Sequence, residues 1–306
     1  MKRKLIKQGL QALTLTLPSS WIKRNGLKPG DEIEVVESDN ALHVMTQGKH
    51  TQKEISVDVS GLLPRMADRF IARAYQKGYD KITLAFDKPE LMLAIKNKVP
   101  ELMGFEILNT SKDTLEIEVI SSQLDLEFDT MLRRAFLLLL EMAQTCHDAW
   151  SKEDAAALKN IFYQDFEVNK FTYFCLRSMN TSSRMMTFGS SILYYLIESL
   201  EDLGDELKAL GALLAAIKLN KDVLHILKKM NRMLRISYEF FYAPDKNKAV
   251  EAFRLSKEIP TLIEQHFGAN DKNLIKTLLS IEFSTRIIYH LTTMRLDTLK
   301  ELGGQR

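Results

Sequence analysis

A run of carboxylates inside a long helical pattern offers the clearest capacity for chemistry in this 306-residue chain. Its members are Glu198, Glu201, Asp202, Asp205 and Glu206. Glu201 and Asp205 are four residues apart, so on a helix their carboxylates lie on one face, one turn apart. Like charges repel there unless water or a cation screens them, and hard metals or iron favour such oxygen ligands. The run is therefore either a solvated helix face or an exposed multi-carboxylate cation site.

A seam of leucines on the same helix limits what these acids can do. The leucines recur at alternating steps of four and three residues, as in a continuous packing seam. They are Leu196, Leu200, Leu203, Leu207, Leu210 and Leu214. Glu201 and Asp205 point roughly 140° to 180° away from the middle of this seam on a regular helix. We therefore expect them to face solvent, which favours the solvated face.

The second group of chemically suggestive residues is basic and lies at the start of the chain. Its members are Lys2, Arg3, Lys4, Lys7, Lys23, Arg24 and Lys28. Residues 1–28 contain no acidic residue, whereas residues 31–39 are strongly acidic. The total of 42 Lys+Arg against 40 Asp+Glu is near neutral and does not show this local separation of charge. Such cations supply sequence-independent affinity for DNA phosphates, and polar neighbours such as Gln8 and Asn25 could read bases. The alternative is that the lysines only solvate an edge strand.

The elements that carry the basic residues are predicted to be short strands joined by tight turns. Apolar and polar residues alternate over 13–17, 33–35 and 42–44, which is typical of half-buried strands. The turn signals between them are Asn25-Gly26, Pro29-Gly30-Asp31 and Asp39-Asn40. A unit of fewer than about 50 residues without metal ligands or cysteines buries too little apolar surface to be stable alone. Residues 1–48 are therefore predicted to form a dimeric β domain.

The remaining chain is predicted to form a small α/β domain, residues 51–123, and an all-helical domain, residues 125–306. The first follows the order β-α-β-α-β-β, with helices at 63–77 and 89–98. The second contains six amphipathic helices, predicted at 128–150, 152–179, 184–219, 221–242, 246–267 and 270–302. Ser151 and Asp245 are predicted as N-caps or turn residues. Two groups of three helices, about 125–219 and 221–302, would pack economically, so the fold class is multidomain α+β.

Composition and missing motifs exclude several classes of function. Cys146 and Cys175 form no CxxC pair, which argues against a zinc knuckle or a disulfide framework and fits a reducing compartment. The 6 histidines lack HxxxH or HExxH spacing, and the chain has no GxGxxG, P-loop or GxSxG motif. The most apolar run, 135–140, is far too short to span a bilayer. We therefore expect a cytoplasmic protein with no membrane insertion and no enzymatic activity.

The N-terminal segments resemble a known family of small β domains. RKLIKQG at 3–9, LTLTLPSSW at 13–21 and GLKPGDEIEV at 26–35 are similar to the AbrB/SpoVT/MazE-type swapped-hairpin domain. Members of that family form an interleaved β dimer that binds DNA through basic N-terminal and loop residues, and some are antitoxins. The resemblance implies a homodimer in which the DNA contacts come from Arg3, Lys4, Lys7, Lys23 and Arg24.

The helical segments resemble a second family. LEDLGD at 200–205 is similar to the E-x-x-x-D helix motif of the phosphate-uptake regulator (PhoU) family, whose fold is two three-helix bundles with surface metal clusters. DFEVNKF at 165–171 is similar to that family's acidic segment, with Asn169 where a second acid is expected. The resemblance implies at most one site for a divalent metal or iron, formed by Asp165, Glu201 and Asp205. A metal-free helical scaffold is an open alternative.

The second half of the helical region departs from that family's pattern. Glu282 keeps the first acid, but Arg286 takes the place of the aspartate. Ser256 and Pro260 stand where the paired acids of the middle helix would be. The joining of the three parts nevertheless resembles archaeal PhoU-like regulators.

These observations together predict a homodimeric DNA-binding transcriptional regulator. The resemblance implies that it regulates phosphate uptake, with the helical domain as sensor or partner-docking module. The alternative is a scaffold that does not bind DNA and docks a phosphate transporter or a signalling kinase. A metalloenzyme built on the acidic helix is the weakest interpretation, because no base, nucleophile or pocket accompanies the acids.

Overall fold

The computed structural model has an α+β fold and describes residues 2–9, 12–38, 41–46, 52–120, 127–181, 190–266, 268 and 271–299. The chain separates into two compact units, residues 1–51 and residues 52–306. The α/β part, predicted as a domain of its own over 51–123, therefore forms one compact unit with the helical part. No helix in the described ranges is both long and apolar enough to cross a membrane.

The first unit consists of two antiparallel β-hairpins and one short helix. The hairpins pair β1 (Ile6–Gln8) with β2 (Ala12–Thr14) and β3 (Ile33–Ser38) with β4 (Ala41–Thr46). Helix α1 (Ser19–Arg24) lies between them and was not predicted, since six residues are too few to show a helical period. Gly26 and Gly30 take positive φ angles in the predicted turns. The predicted turn at Asp39-Asn40 lies outside the described residues.

The α/β part of the second unit has the predicted order of elements. They are β5 (Glu54–Asp58), α2 (Pro64–Gln76), β6 (Lys81–Ala85), α3 (Pro89–Lys98), a 3-10 turn (Val99–Glu101), β7 (Phe105–Thr110) and β8 (Thr114–Val119). The sheet order is β5-β6-β8-β7, with β5 and β6 parallel and the other pairs antiparallel. Pro64 and Pro89 each occupy a first helical turn, where a missing N–H is harmless. Ile82 and Leu84 are fully buried, as the alternation along β6 requires.

Six long helices follow in the described ranges. They are α4 (Phe128–Ser151), α5 (Ala155–Thr181), α6 (Ser190–Leu214), α7 (Lys221–Tyr242), α8 (Lys246–Glu264) and α9 (Lys272–Asp297). Helices α4, α5 and α6 pack on one another, as do α7, α8 and α9, and the two groups meet through α6 with α9 and α4 with α7. Their buried side chains form one continuous hydrophobic core. The predicted leucine seam of α6 belongs to it, with all six leucines buried.

The helix ends show one correct and one wrong cap prediction. Asp245 accepts hydrogen bonds from the backbone N–H groups of Asn247 and Lys248 and caps α8, as predicted. Ser151 does not cap α5, because it is the last residue of α4. Asp154 caps α5 instead. Its side chain accepts hydrogen bonds from the backbone N–H groups of Ala156 at 3.1 Å and Ala157 at 3.0 Å. The cap of α5 was therefore predicted three residues too early in the sequence.

Candidate functional site

The five basic residues predicted to contact DNA lie in two places on the first unit. Arg3 and Lys4 precede β1, Lys7 lies within β1, and Lys23 and Arg24 form the last turn of α1. All five side chains are exposed, and none pairs with an acidic side chain in the described part of the chain. Their charges are therefore available to phosphate groups.

The end of α1 presents its two cations to solvent. The Asn25 side-chain amide donates to the Trp21 carbonyl at 2.8 Å, and Gly26, with φ +64°, turns the chain away. Lys23 and Arg24 are also favoured there by the negative end of the helix dipole. The helix dipole therefore stabilises these two cations at the end of α1, independently of any contact with nucleic acid.

The described residues of the first unit form no core of their own. No side chain described in it is buried. Leu13 on β2 is 61% exposed and Leu42 on β4 is 65% exposed, although both lie in strands with apolar alternation. A folded unit with this pattern needs apolar cover from outside its own chain segment.

Two of the three predicted metal ligands meet at an ammonium group. Lys208 Nζ donates to Asp165 Oδ2 at 2.5 Å and also to Asp205 Oδ1. Burial raises the pKa of the Asp165 carboxyl, and the hydrogen bond from Lys208 opposes that rise. Gly204 permits the close approach of α5 and α6, since a Cβ atom there would lie 3.1 Å from Asp165 Oδ1. A lysine therefore occupies the space between the two carboxylates.

Glu201, the third predicted ligand, has different partners. The Tyr173 hydroxyl donates to Glu201 Oε1 at 3.2 Å, and Arg69 Nη1 on α2 lies 3.9 Å from the same oxygen. Glu201 is only 5% exposed, so the expectation that it faces solvent is wrong. Glu201 does lie on the side of α6 away from the leucine seam, but α2 of the α/β part covers that side. Asp205, expected to face solvent as well, is half-buried, whereas Asp202 is exposed.

Further ion pairs join the α/β part to the helices. Arg73 on α2 binds both carboxylate oxygens of Glu198 on α6, one at 2.7 Å. Arg177 on α5 donates to Asp80 Oδ1 at 2.6 Å. The same guanidinium donates to two backbone carbonyls of the α/β part, those of Tyr75 at 2.9 Å and residue 79 at 2.7 Å. The acidic run of α6 thus helps to hold the α/β part in place.

Sequence reasoning missed the basic partners of this interface. Arg65, Arg69 and Arg73 recur every four residues along α2, a spacing that places them along one side of a helix. This row of arginines could have indicated the interface, because a basic face of one helix can pair with an acidic face of another. The pairing itself depends on how the two parts pack.

The side chains as folded do not fit a metal cluster. Within the described residues, no group of three or more His, Cys, Asp or Glu side chains is arranged to hold an ion. In the second helical group, Glu282 pairs with Arg286 on the same helix at 2.5 Å. The divalent metal or iron expected at Asp165, Glu201 and Asp205 stays a prediction, which elemental analysis of the purified protein would decide.

Replacing Lys208 by methionine is expected to lower the free energy of unfolding by about 2 kcal/mol, because Asp165 then stays buried without its counter-ion. Adding Asp165→Asn should recover most of the loss, since no buried charge remains. Urea unfolding measures both variants. The matched control is Lys218→Met at an exposed lysine after α6. Equal stability of Lys208→Met and the unaltered chain would contradict the assignment.

Glu201 is expected to make stability fall as the pH rises through weakly acidic values. Burial raises the pKa of its carboxyl to about 6, and the neighbouring charge of Asp205 adds to the rise, whereas Arg69 opposes it. An acid with a raised folded-state pKa stabilises the fold most below its unfolded value near 4.5. That contribution, about 2 kcal/mol, is lost as the pH rises to about 6.

Urea unfolding at pH 4.5, 5, 6 and 7 tests this dependence. Glu201→Gln should flatten the decline, because the amide does not ionise. Glu106→Gln, at an exposed position on β7, should leave the curve unchanged. A decline of the same size in the Glu201→Gln variant would show that another buried acid causes it.

The first unit is a small basic β domain, with two hairpins, exposed cations and no buried side chain among the residues that the structure describes. Residues 9–52 match the family described as antidote-toxin recognition MazE, bacterial antitoxin. The match confirms the predicted AbrB/MazE-type domain, includes Lys23 and Arg24, and begins after Arg3, Lys4 and Lys7. No curated protein and no solved structure matches the chain. A domain of this type is consistent with a DNA-binding or antitoxin-type regulator.

Proposed function

We propose that this protein is a homodimeric, DNA-binding transcriptional regulator. The observation that carries the proposal is the first unit, in which five exposed, unpaired cations accompany a MazE-type match. Lysine and arginine side chains that neutralise phosphates release counter-ions and so drive DNA binding without reading sequence. Two copies of the unit would double the cationic surface and favour a site with two-fold symmetry.

The proposed dimer is supported by the absence of a buried side chain among the described residues of the first unit. A second copy that interleaves with the hairpins would cover Leu13 and Leu42. We expect the full chain to sediment with twice the mass of one chain. Leu13→Asp combined with Leu42→Asp should shift it to a monomer, because two charges would be buried in the dimer. Leu93→Asp, at a leucine of α3 that is 59% exposed, is the matched control. A monomeric unaltered chain would contradict the dimer.

The helical part is proposed as a sensor or partner-docking module. Its resemblance to the PhoU family over 125–302 supports a role in phosphate uptake, with regulation of a transporter or signalling partner. A ligand of this module can alter DNA affinity only if it binds two states of the dimer with different strength. Operator binding measured at fixed salt with and without inorganic phosphate tests this, and unchanged affinity at saturating phosphate would remove phosphate as the effector.

A gel-shift titration with genomic fragments tests the function itself. We expect a saturable shift above non-specific background. The protein concentration needed for this shift should rise steeply with the salt concentration. A scaffold that only dimerises and docks a transporter or kinase would give no such shift. Mapping bound DNA in cells would then name the operator and test the link to phosphate uptake.

A further inference from the structure

Two carboxylates from different helices converge on one point, and the Lys208 ammonium lies there. Lys208 Nζ donates to Asp165 Oδ2 on α5 at 2.5 Å and to Asp205 Oδ1 on α6. Protein oxygens bind Mg²⁺ or Ca²⁺ at about 2.0–2.6 Å, so an ion held by these two oxygens would need the space that Nζ takes. The lysine and a divalent ion therefore exclude one another at this point.

The packing of α5 on α6 holds these three side chains together. Asp165 is 4% exposed. A Cβ atom on Gly204 would lie 3.1 Å from Asp165 Oδ1, so the two helices approach closely here. Lys208 and Asp205 are three residues apart on α6, which places them on one side of that helix. Helix geometry therefore brings the ammonium between the two carboxylates.

Two oxygen atoms of α5 are left without a partner beside this ion pair. Asp165 Oδ1 and Asn169 Oδ1 are buried and accept no hydrogen bond from the described residues. The two residues are four positions apart on α5, so their side chains lie on one side of the helix. Carboxylate and amide oxygens are the ligands that hard divalent cations take. The site therefore contains potential ligands that the lysine does not use.

Glu201, the third predicted ligand, is satisfied elsewhere. Its Oε1 atom accepts from the Tyr173 hydroxyl at 3.2 Å and lies 3.9 Å from Arg69 Nη1. Tyrosine and arginine side chains thus serve this carboxylate without a metal ion. Only the carboxylates of Asp165 and Asp205 hydrogen bond to the Lys208 ammonium in the described part of the chain.

The second helical group also has a basic side chain where the pattern calls for an acid. Arg286 stands where the first group has Asp205, and it pairs with Glu282 on the same helix at 2.5 Å. The positions of the paired acids in the middle helix hold Ser256 and Pro260. In both groups, therefore, a cation that belongs to the chain meets the acid that a metal ion would need.

We propose that Lys208 is a built-in replacement for a metal ion, and that Asp165 and Asp205 form a divalent-cation site only when this lysine is removed. The ammonium supplies the positive charge that the two carboxylates need and joins α5 to α6. The helical part then folds without a divalent metal or iron. This assignment is independent of DNA binding by the first unit.

A titration of the full-length protein with Mn²⁺, followed by the electron paramagnetic resonance signal of the free ion, tests the assignment. Lys208→Ala is expected to gain about one Mn²⁺ per chain and to bind it at least tenfold more tightly than the unaltered chain. Lys208→Ala combined with Asp165→Asn should lose this gain. Lys218→Ala, at an exposed lysine after α6, is the matched control and should gain nothing.

The unaltered chain provides the second half of the test. It should bind Mn²⁺ no more tightly than the Asp165→Asn variant, and EDTA should leave its thermal unfolding midpoint unchanged. A metal found by elemental analysis at about one per chain, and lost in Asp165→Asn, would show that an ion displaces the lysine and would overturn the assignment.

A Lys208→Ala variant with unchanged circular dichroism and no gain in Mn²⁺ affinity would also overturn it. If Lys208→Ala does not fold, the comparison of the unaltered chain with Asp165→Asn decides the question alone. DNA affinity of the unaltered chain should be the same with and without EDTA. None of these metal measurements alters the first unit, so a failed result leaves the proposed regulator intact.

Discussion

Replacing Arg3 and Lys4 together by alanine is expected to weaken binding to every duplex DNA sequence by about 10- to 100-fold at about 0.1 M salt. Both side chains are exposed and carry no ion pair in the described part of the chain. Each lost phosphate contact reduces the dependence of log affinity on log salt by about 0.9, so the slope should flatten by up to about two units. Preference among sequences should change little, because phosphates carry no sequence information.

Anisotropy titrations at several salt concentrations measure both quantities. Lys218→Ala combined with Lys221→Ala removes two exposed cations from the second unit and keeps the net charge matched. This control should retain the affinity and the slope of the unaltered chain. If both double variants lose the same affinity, the effect is one of overall charge, and the N-terminal residues are not the contacts.

Replacing Arg177 by methionine is expected to lower the free energy of unfolding by about 3 kcal/mol, because three largely buried hydrogen bonds are lost. Its guanidinium is largely buried and donates to Asp80 and to two backbone carbonyls of the α/β part. Asp80 is itself 2% exposed and also accepts the backbone N–H of Lys53 at 2.8 Å. Removing the arginine takes away these three hydrogen bonds, one of them to a buried carboxylate, at the junction of the two parts.

Denaturant unfolding gives the size of this loss, and two variants control it. Arg73→Met removes a more exposed pair with Glu198 and should cost only about 1 kcal/mol. Arg177→Lys keeps the charge but lacks the planar fork that reaches the three acceptors from two nitrogens, so its loss should be intermediate. Equal losses for Arg177→Met and Arg73→Met would contradict the distinction between buried and exposed pairs.

The elements of the fold were largely predictable because their signals are local. Helix α7 has the predicted limits, since Asn220 caps its start and an apolar period continues to Tyr242. Asp245 likewise identified the start of α8. The failures were also local: α1 is too short to show a period, and Ser151 lies three residues before the side chain that caps the next helix.

The candidate sites were predictable to different extents. Clustered charge and the segments 3–9, 13–21 and 26–35 pointed to the basic N-terminal unit, and the MazE-type match over 9–52 agrees. The acidic residues of α6 were found, but their partners were not. Lys208 lies three positions after Asp205, but nothing in its spacing shows that it also reaches Asp165 on another helix.

The amino-acid order alone determined most of the strands, the long helices and the basic character of the first unit, because each depends on neighbours within a few residues. It did not show β1, which is only three residues long, and the strand predicted over 13–17 ends at Thr14. Only the tertiary structure decided that Glu201 is buried and that Lys208 bridges two aspartates. The pair of Arg73 and Glu198 joins residues 125 positions apart. This pair forms because the α/β part covers one particular face of α6, and the periodicity of the sequence does not predict which face is covered.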